Sequence, residues 1–348
     1  MELYVIGVNY KTTPIQIREK FSVESDEYEY ILSSIKSLDG IMECALLSTC
    51  NRTELHIFSE NTIEDTGYIE KQFCILKGLD IYEVKKYFYV YSDINAIRHI
   101  MKVASGMDSM IIGEEQILGQ FKSAYEISIK YGTSKAVLNT LSRLAITASK
   151  KFHTRNLFLN KVTSVAGQAV LLIEDIYGES VINRNILIIG SGEIGKTICF
   201  KLQELGAAKI YITQRNGLLT NEINQSKVTI INYKDRYSYI RESDVVIGAT
   251  SSPHYIITQD MLEKEIVNSN KKQLFIDLAV PRDFDEAISK NENIELYNID
   301  QLKKFKLKNV KDHGHSQLDM DYIETQINCH INEFIRWYKY RNSLLKKA

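Results

Sequence analysis

The sequence predicts an α/β protein in three parts: an N-terminal α+β domain over residues 1–155, a Rossmann-type domain over 156–300, and a C-terminal long helix over 301–348. Three observations carry that prediction. Short apolar strands alternate with amphipathic helices in the first part. A glycine-rich turn stands between a strand and a helix in the second. Apolar residues recur at helical spacing from Leu318 to Leu345 in the third. The 348 residues are 44% hydrophobic and 25% charged, ordinary values for a globular chain. With a formal net charge of −1, whole-molecule electrostatics give no pull towards nucleic acid, leaving only a local basic face for such a partner. No apolar run is long enough to span a bilayer, and the first residues lack the pattern of a signal peptide. Cys44, Cys50, Cys74, Cys199 and Cys329 are unclustered, so neither a disulfide framework nor a metal site is expected, which fits a reducing cytoplasm.

In chain order, residues 3–8 read as a strand, Lys11-Thr12-Thr13-Pro14 as a polar loop, and Ser25-Asp26 as the cap of a helix to about Ser37. A strand over 44–49 then ends abruptly in polar residues. A second strand follows over 54–59, with Leu55 and Ile57 alternating with polar neighbours. This strand–loop–strand arrangement puts Cys50 at a tip. Most free cysteines are small buried hydrophobes, but the polar flank and Arg52, which favours the thiolate, mark Cys50 as a candidate nucleophile. Helices are expected over 64–77 and 80–88 and a strand over 87–91. From Asp93, apolar positions recur at three and four, leaving His99 on the flank of the stripe, where a histidine is more often structural than catalytic. The stretch 113–120 places Glu114, Gln116 and Gln120 along one helical face. That face suits an ammonium and a carboxylate or ribose, or equally a solvated first helical turn. Two helices over 121–153, broken near Gly132, end in a basic patch.

Residues 164–178 form another amphipathic helix, and 185–189 a continuous apolar run of the kind buried in parallel sheets. Gly190-Ser191-Gly192-Glu193-Ile194-Gly195 comes next, then a helical pattern to Glu204 and a strand over 209–213. A lone GxGxxG is weak evidence. Between strand and helix, within a βαβ pattern, it is a dinucleotide site whose helix N-terminus faces the pyrophosphate. The second strand ends in Gln214-Arg215-Asn216 without an acid for a ribose 2′-hydroxyl. Arg215 instead suits a 2′-phosphate, which favours NADP. Further strands are expected at 227–231, 244–247, 273–278 and 296–299, followed by a helix from Asp300. The lysines between 303 and 311 read as a solvated face more readily than a phosphate patch. His313 and His315 lack partners for a metal site. The helix over 318–345 has an apolar stripe that needs a partner, either the chain's own domains or a second subunit.

The segments STCNRTE at 48–54, HIMKVASGMDSMIIGEEQILGQ at 99–120, GSGEIG at 190–195, ATSSP at 249–253, DLAVPRD at 277–283 and LYNIDQL at 296–302 resemble those of the glutamyl-tRNA reductase family, collinearly over most of the chain. The resemblance implies a catalytic glutamyl-tRNA-recognition domain, an NADP-binding domain and a C-terminal dimerisation domain on a long helix. It implies that Cys50 attacks the ester of glutamyl-tRNA(Glu), and that NADPH reduces the resulting thioester to glutamate-1-semialdehyde, the first step of tetrapyrrole biosynthesis. By motif, Thr49, Asn51, Arg52, Ser109, Glu114, Gln116 and Gln120 would hold the glutamyl group, with Glu115 at a variable position. His99 would act as proton donor or positioning group. A downstream glutamate-1-semialdehyde aminomutase is an implied partner. The family's C-terminal domain usually continues some tens of residues past the equivalent of Ala348, so only a shortened dimerisation segment is expected, and the homodimer is an open expectation. The segment between Arg215 and Lys227 is also compact, with a short loop where relatives often have a helix. A non-catalytic NADP-binding relative acting as a sensor is the alternative reading. A dehydrogenase of free small acids would leave the thiol without a task.

Overall fold

A computed structural model describes residues 2–110, 112–154, 164–214, 227–265, 271–304 and 317–345. Arg215, the loop that follows it, the lysines from 306 to 311, His313 and His315 lie outside the described residues. The chain divides into two compact units, residues 1–163 with 312–348, and residues 164–311.

The first unit contains β1 (Leu3–Asn9), α1 (Ile15–Arg18), α2 (Tyr28–Lys36), β2 (Ile41–Ser48), β3 (Arg52–Ser59), α3 (Gly67–Leu76), α4 (Ile81–Val84), β4 (Tyr89–Ser92), α5 (Asp93–Ala104), α6 (Glu115–Lys130) and α7 (Ala136–Thr154). Its sheet has the order β2-β3-β1-β4, with every pairing antiparallel. Alternate residues of a strand face opposite sides, and here both sides are covered. Tyr4, Ile6, Val8, Leu46, Leu55 and Ile57 pack on α2 and α3. Leu3, Val5, Ala45, Leu47 and Phe58 pack on α5, α6 and α7. Burial on both sides explains why β3 is buried along its whole length despite its polar residues. Glu43 of β2 reaches the start of α7, where its carboxylate accepts N–H bonds from Lys135, Val137 and Leu138 at 2.9, 3.0 and 2.9 Å. A distant acid thus satisfies the orphan donors of a helix N-terminus.

The second unit contains α8 (Val165–Tyr177), β5 (Asn185–Ile189), α9 (Glu193–Glu204), β6 (Lys209–Gln214), β7 (Val228–Asn232), α10 (Arg236–Glu242), β8 (Val245–Gly248), α11 (Gln259–Glu265), β9 (Gln273–Asp277), β10 (Ile294–Asn298) and α12 (Ile299–Lys304). The sheet order is β10-β9-β8-β5-β6-β7, all parallel. That is a doubly wound sheet whose order reverses between β5 and β8, the point where such sheets bind ligands. The short helices α1, α10 and α11 add to the elements expected from periodicity. Each is 4 to 7 residues long, too short to leave a helical repeat in the sequence.

The last helix, α13 (Gln317–Leu345), belongs to the first unit. Ile323, Ile327, Ile331 and Phe334 enter the core formed with α5 and α7, so the stripe's partner is the chain itself. Arg98 of α5 pairs with Glu324 at 3.1 Å and donates to Asn328 at 2.7 Å, which fixes the register of the two helices.

Candidate active site

Cys50 sits at the tip of the β2–β3 hairpin. The turn closes through Thr49, whose N–H donates to the Arg52 carbonyl at 2.8 Å. The Thr49 hydroxyl accepts the N–H groups of Asn51 and Arg52 at 3.2 and 3.3 Å. Two further bonds pin the tip from outside. Tyr10 N–H donates to the Asn51 carbonyl at 2.9 Å, and Arg18 Nε to the Cys50 carbonyl at 2.9 Å. A backbone held at both carbonyls presents its side chain in one place, which a nucleophile requires. Cys50 is half-buried, whereas Cys44, Cys74 and Cys199 are buried. Burial pushes their thiols up to about 12, 11 and 11 respectively, so they do not supply a thiolate near neutrality.

Behind the tip lies a feature that alternation on β3 hides. Arg52, Glu54 and His56 point to one face and are each fully buried. Arg52 Nη1 bonds Glu54 Oε1 at 2.8 Å and Asp108 Oδ2 at 2.9 Å, and Nη2 donates to the Asp108 carbonyl. The guanidinium is therefore held between two carboxylates, and less of its charge acts on a neighbouring thiol than an unpaired arginine would supply. Its Nε is buried with no partner among the described residues. His99 Nε2 also meets Glu54 Oε1, at 2.9 Å, and Tyr89 OH donates to the same oxygen. The His99 ring stacks on Tyr91 with centroids 4.6 Å apart and meets Tyr89 edge-on at 5.7 Å. Burial alone would raise the Glu54 carboxyl, but the charges of His99 and Arg52 prevail and hold it well below the usual carboxylate range. Burial raises Tyr89 well above its ordinary value, with Glu54 adding to the effect.

Gly7 makes room for this acid: a Cβ there would lie 2.3 Å from the Thr53 carbonyl oxygen and 2.9 Å from Glu54 Cα. Neither backbone atom can yield without parting β1 from β3. Gly7→Ala is expected to lower stability by about 1–3 kcal/mol, the usual cost of overpacking, read as a shifted urea midpoint. Glu54 also makes stability depend on acid. Its folded pKa lies below that of the unfolded chain, so the contribution is present above about pH 4 and is lost as pH falls through the folded value. Unfolding followed from about pH 5 down to about pH 3 should show a shallower loss for Glu54→Gln than for the wild type.

Ser109 is buried and its carbonyl accepts the Tyr10 hydroxyl at 3.2 Å, while Lys11 pairs with Asp108. The loops around residues 10 and 109 are thereby tied to Arg52. Glu114 is buried at the N-cap of α6, Gln116 is half-buried on its first turn, and Gln120 is exposed one turn on. The Glu115 side chain lies outside the described residues. Asn51 is buried, and its Oδ1 has no hydrogen-bond partner among the described residues. Sequence reasoning passed over Lys11, Glu54, His56, Tyr89, Asp108 and Tyr125. The one signal for any of them was the spacing Arg-x-Glu-x-His, which sets three ionisable groups on one strand face.

In the second unit the fingerprint residues form the turn from β5 into α9. A Cβ on Gly195 would lie 2.0 Å from the Gly190 carbonyl oxygen, so this glycine is what lets α9 approach the turn. Gly192 is the N-cap of α9 and has open space around it, which the pyrophosphate of a dinucleotide fits. Ser191, Glu193 and Ile194 complete the turn and open the helix. Across the switch point Ala249 N–H donates to the Ile189 carbonyl at 2.9 Å, and Thr250 N–H to Asp283 Oδ2 at 2.8 Å. The 249–253 loop is thus fastened to the 277–283 loop at the ligand-binding edge of the sheet.

A pinned, half-buried thiol in one unit and a glycine-rich strand-to-helix turn on a parallel sheet in the other are the features of a nucleotide-dependent oxidoreductase. Known proteins agree with that class and narrow it. Residues 6–156 match the family model described as the N-terminal domain of glutamyl-tRNA(Glu) reductase, and residues 172–305 that of shikimate/quinate 5-dehydrogenase. A glutamyl-tRNA reductase of Thermodesulfovibrio yellowstonii is 36% identical over 317 residues, covering 87% of this chain and 72% of that protein. A Ruminiclostridium josui protein named "Probable multifunctional siroheme biosynthesis protein HemA" is 38% identical over 348 residues, 98% of this chain and 65% of its own length. Among solved structures, glutamyl-tRNA reductase from Methanopyrus kandleri is 26% identical, covers 99% of this chain and 81% of that one, and has a TM-score of 0.45. The chain belongs to the glutamyl-tRNA reductase family. Among the described residues, no helix is long and apolar enough to cross a membrane.

Proposed function

We propose that this chain reduces glutamyl-tRNA(Glu) to glutamate-1-semialdehyde through a thioester on Cys50, the entry step of tetrapyrrole biosynthesis, with NADPH as reductant in the cytoplasm. The observation that carries the reading is the hairpin tip, where a half-buried thiol stands on a backbone pinned by Tyr10 and Arg18. The Cys50 sulfur bonds to the acyl carbon, the ester C–O bond breaks, and the tRNA oxygen takes up a proton. His99 is the group that receives the thiol's proton and returns it to that oxygen. Splitting the reduction this way helps, because a thioester, with its weaker sulfur-to-carbonyl donation, accepts hydride more readily than the oxygen ester it replaces.

The substrate's α-ammonium is the natural donor for the buried Asn51 Oδ1, which otherwise carries the cost of an unmade hydrogen bond. Thr49, Ser109, Glu114, Gln116 and Gln120 complete the glutamyl pocket in this reading. Arg52 shapes it from behind, through Asp108 and Glu54, which occupy its guanidinium. The turn Gly190–Gly195 would hold NADPH and Arg215 would answer its 2′-phosphate; the cofactor would supply a hydride for the acyl carbon. Residues 1–155 serve glutamyl-tRNA recognition, 156–300 cofactor binding, and 301–348 dimerisation in this reading. Glutamate-1-semialdehyde is a reactive aldehyde, so the aminomutase that consumes it is a partner in this reading.

The test supplies glutamyl-tRNA(Glu) and NADPH to the full chain and follows nicotinamide absorbance and aldehyde together. Equal amounts of aldehyde formed and NADPH oxidised support the reading. Oxidation of NADPH with free glutamate or another small acid, and none with glutamyl-tRNA, overturns it.

A further inference from the structure

Glu54 is the hub of more groups than the proposed reaction uses, and their protons can be assigned from geometry. An ionised carboxylate only accepts hydrogen bonds. Its Oε1 faces Arg52 Nη1, the Tyr89 hydroxyl and His99 Nε2, and its Oε2 faces His56 Nε2 at 3.0 Å. Both histidines must therefore carry a proton on Nε2. For His56 the opposite nitrogen, Nδ1, lies 2.9 Å from the Tyr125 hydroxyl. Burial disfavours a second proton on His56, so Nδ1 accepts from Tyr125. The chain thus runs Tyr125 to His56 to Glu54 to His99, crossing from α6 through β3 to α5, with every member nine-tenths or more buried. Charged and titratable groups around it come from β3 (Arg52), β4 (Tyr89 and Tyr91), the loops carrying Lys11 and Asp108, and α6 (Tyr125).

We propose that Glu54 and His56 are positioning residues for His99. Glu54 fixes the proton of His99 on Nε2, which leaves Nδ1 as the nitrogen that takes up and returns the thiol's proton. Its negative charge stabilises the ring while that second proton is there. His56, held by Tyr125, occupies the other carboxylate oxygen and keeps Glu54 from turning away. The inference rests on the role given to His99 under the proposed function. It adds the orienting acid and the support behind that acid.

Glu54→Gln separates charge from geometry. The amide oxygen can replace Oε1 and keep His99, Tyr89 and Arg52 bonded, but the amide NH2 must then donate to His56 Nε2. His56 has to change tautomer, moving its proton to Nδ1 and donating to Tyr125. Two readouts follow. Nitrogen-15 spectra of ring-labelled histidine should show the His56 proton on Nε2 in the wild type and on Nδ1 in Glu54→Gln. Single-turnover acylation of Cys50 by glutamyl-tRNA, without NADPH, should fall about 10²-fold with half-saturation by substrate unchanged, the range for a lost acid–base contribution. An unchanged His56 tautomer overturns the network, and unchanged acylation overturns the role. If Glu54→Gln does not fold, Tyr125→Phe removes only the far hydroxyl and should slow acylation roughly 3- to 10-fold, the worth of one hydrogen bond; acylation at the wild-type rate in that variant overturns the role of the rear support. A wild-type chain that forms no adduct at all sinks the proposed function and this role with it, whereas equal adduct formation by wild type and Glu54→Gln sinks this role alone.

Discussion

Cys50→Ser is expected to lose reductase activity by at least about 10³-fold, because a serine hydroxyl has no thiolate fraction to attack with and no thioester to offer for reduction. The substitution changes one atom at a half-buried hairpin tip whose bonds run through backbone carbonyls and the Thr49 hydroxyl, so the fold and the affinity for glutamyl-tRNA should survive. A loss in kcat with KM unchanged is the expected pattern, since the missing interaction exists only during the chemistry. The other four cysteines provide the control. Cys44, Cys74 and Cys199 are buried with raised thiols, and Cys329 lies on α13. Serine at exposed Cys329 should leave the rate within a factor of about two.

The second large effect falls on the cofactor. Gly192→Asp places a carboxylate at the N-cap of α9, where aspartate is a favoured capping residue and where open space surrounds the glycine. Stability should therefore hold or rise. In the proposed cofactor site the same carboxylate would stand against the pyrophosphate, and like charges in contact cost several kcal/mol. The KM for NADPH should rise about 100-fold, while acylation of Cys50 by glutamyl-tRNA, which needs no nicotinamide, proceeds at the wild-type rate. Gly192→Ser supplies the cap without the charge and should move KM only a few-fold. Gly195→Ala contrasts with both: its Cβ would lie 2.0 Å from the Gly190 carbonyl oxygen, so it should lower the unfolding midpoint of the second unit. One turn thus separates a glycine needed for packing from one needed for the ligand.

Much of this architecture was legible because its signals are local. The βαβ setting of residues 185–213, the long helical repeat of 318–345 and the polar end of the strand before Cys50 all lie within short windows of sequence. What pattern could not show is long-range. Glu54 lies on an alternating strand, and alternation ordinarily marks one face as solvent-facing. Only the packing of α5, α6 and α7 on that face turns Arg52, Glu54 and His56 into a buried network. His99 lies 45 residues from the acid that holds it, and Tyr125 lies 69 from His56. The partner of the α13 stripe was likewise undecidable from spacing, because Arg98 and Glu324 are 226 residues apart. The adenine-side specificity reading rests on Arg215, which lies outside the described residues. NADPH use therefore follows from family membership.

A covalent glutamyl group on Cys50 can be read directly by mass. The full chain is incubated briefly with glutamyl-tRNA(Glu) in the absence of NADPH, quenched in acid, and its intact mass and peptide map are measured. One glutamyl adduct is expected, mapped to Cys50, absent from Cys50→Ser, and discharged as aldehyde when NADPH is added. Aldehyde formation by a chain that never carries the adduct, or an adduct mapped to a different residue, would contradict it.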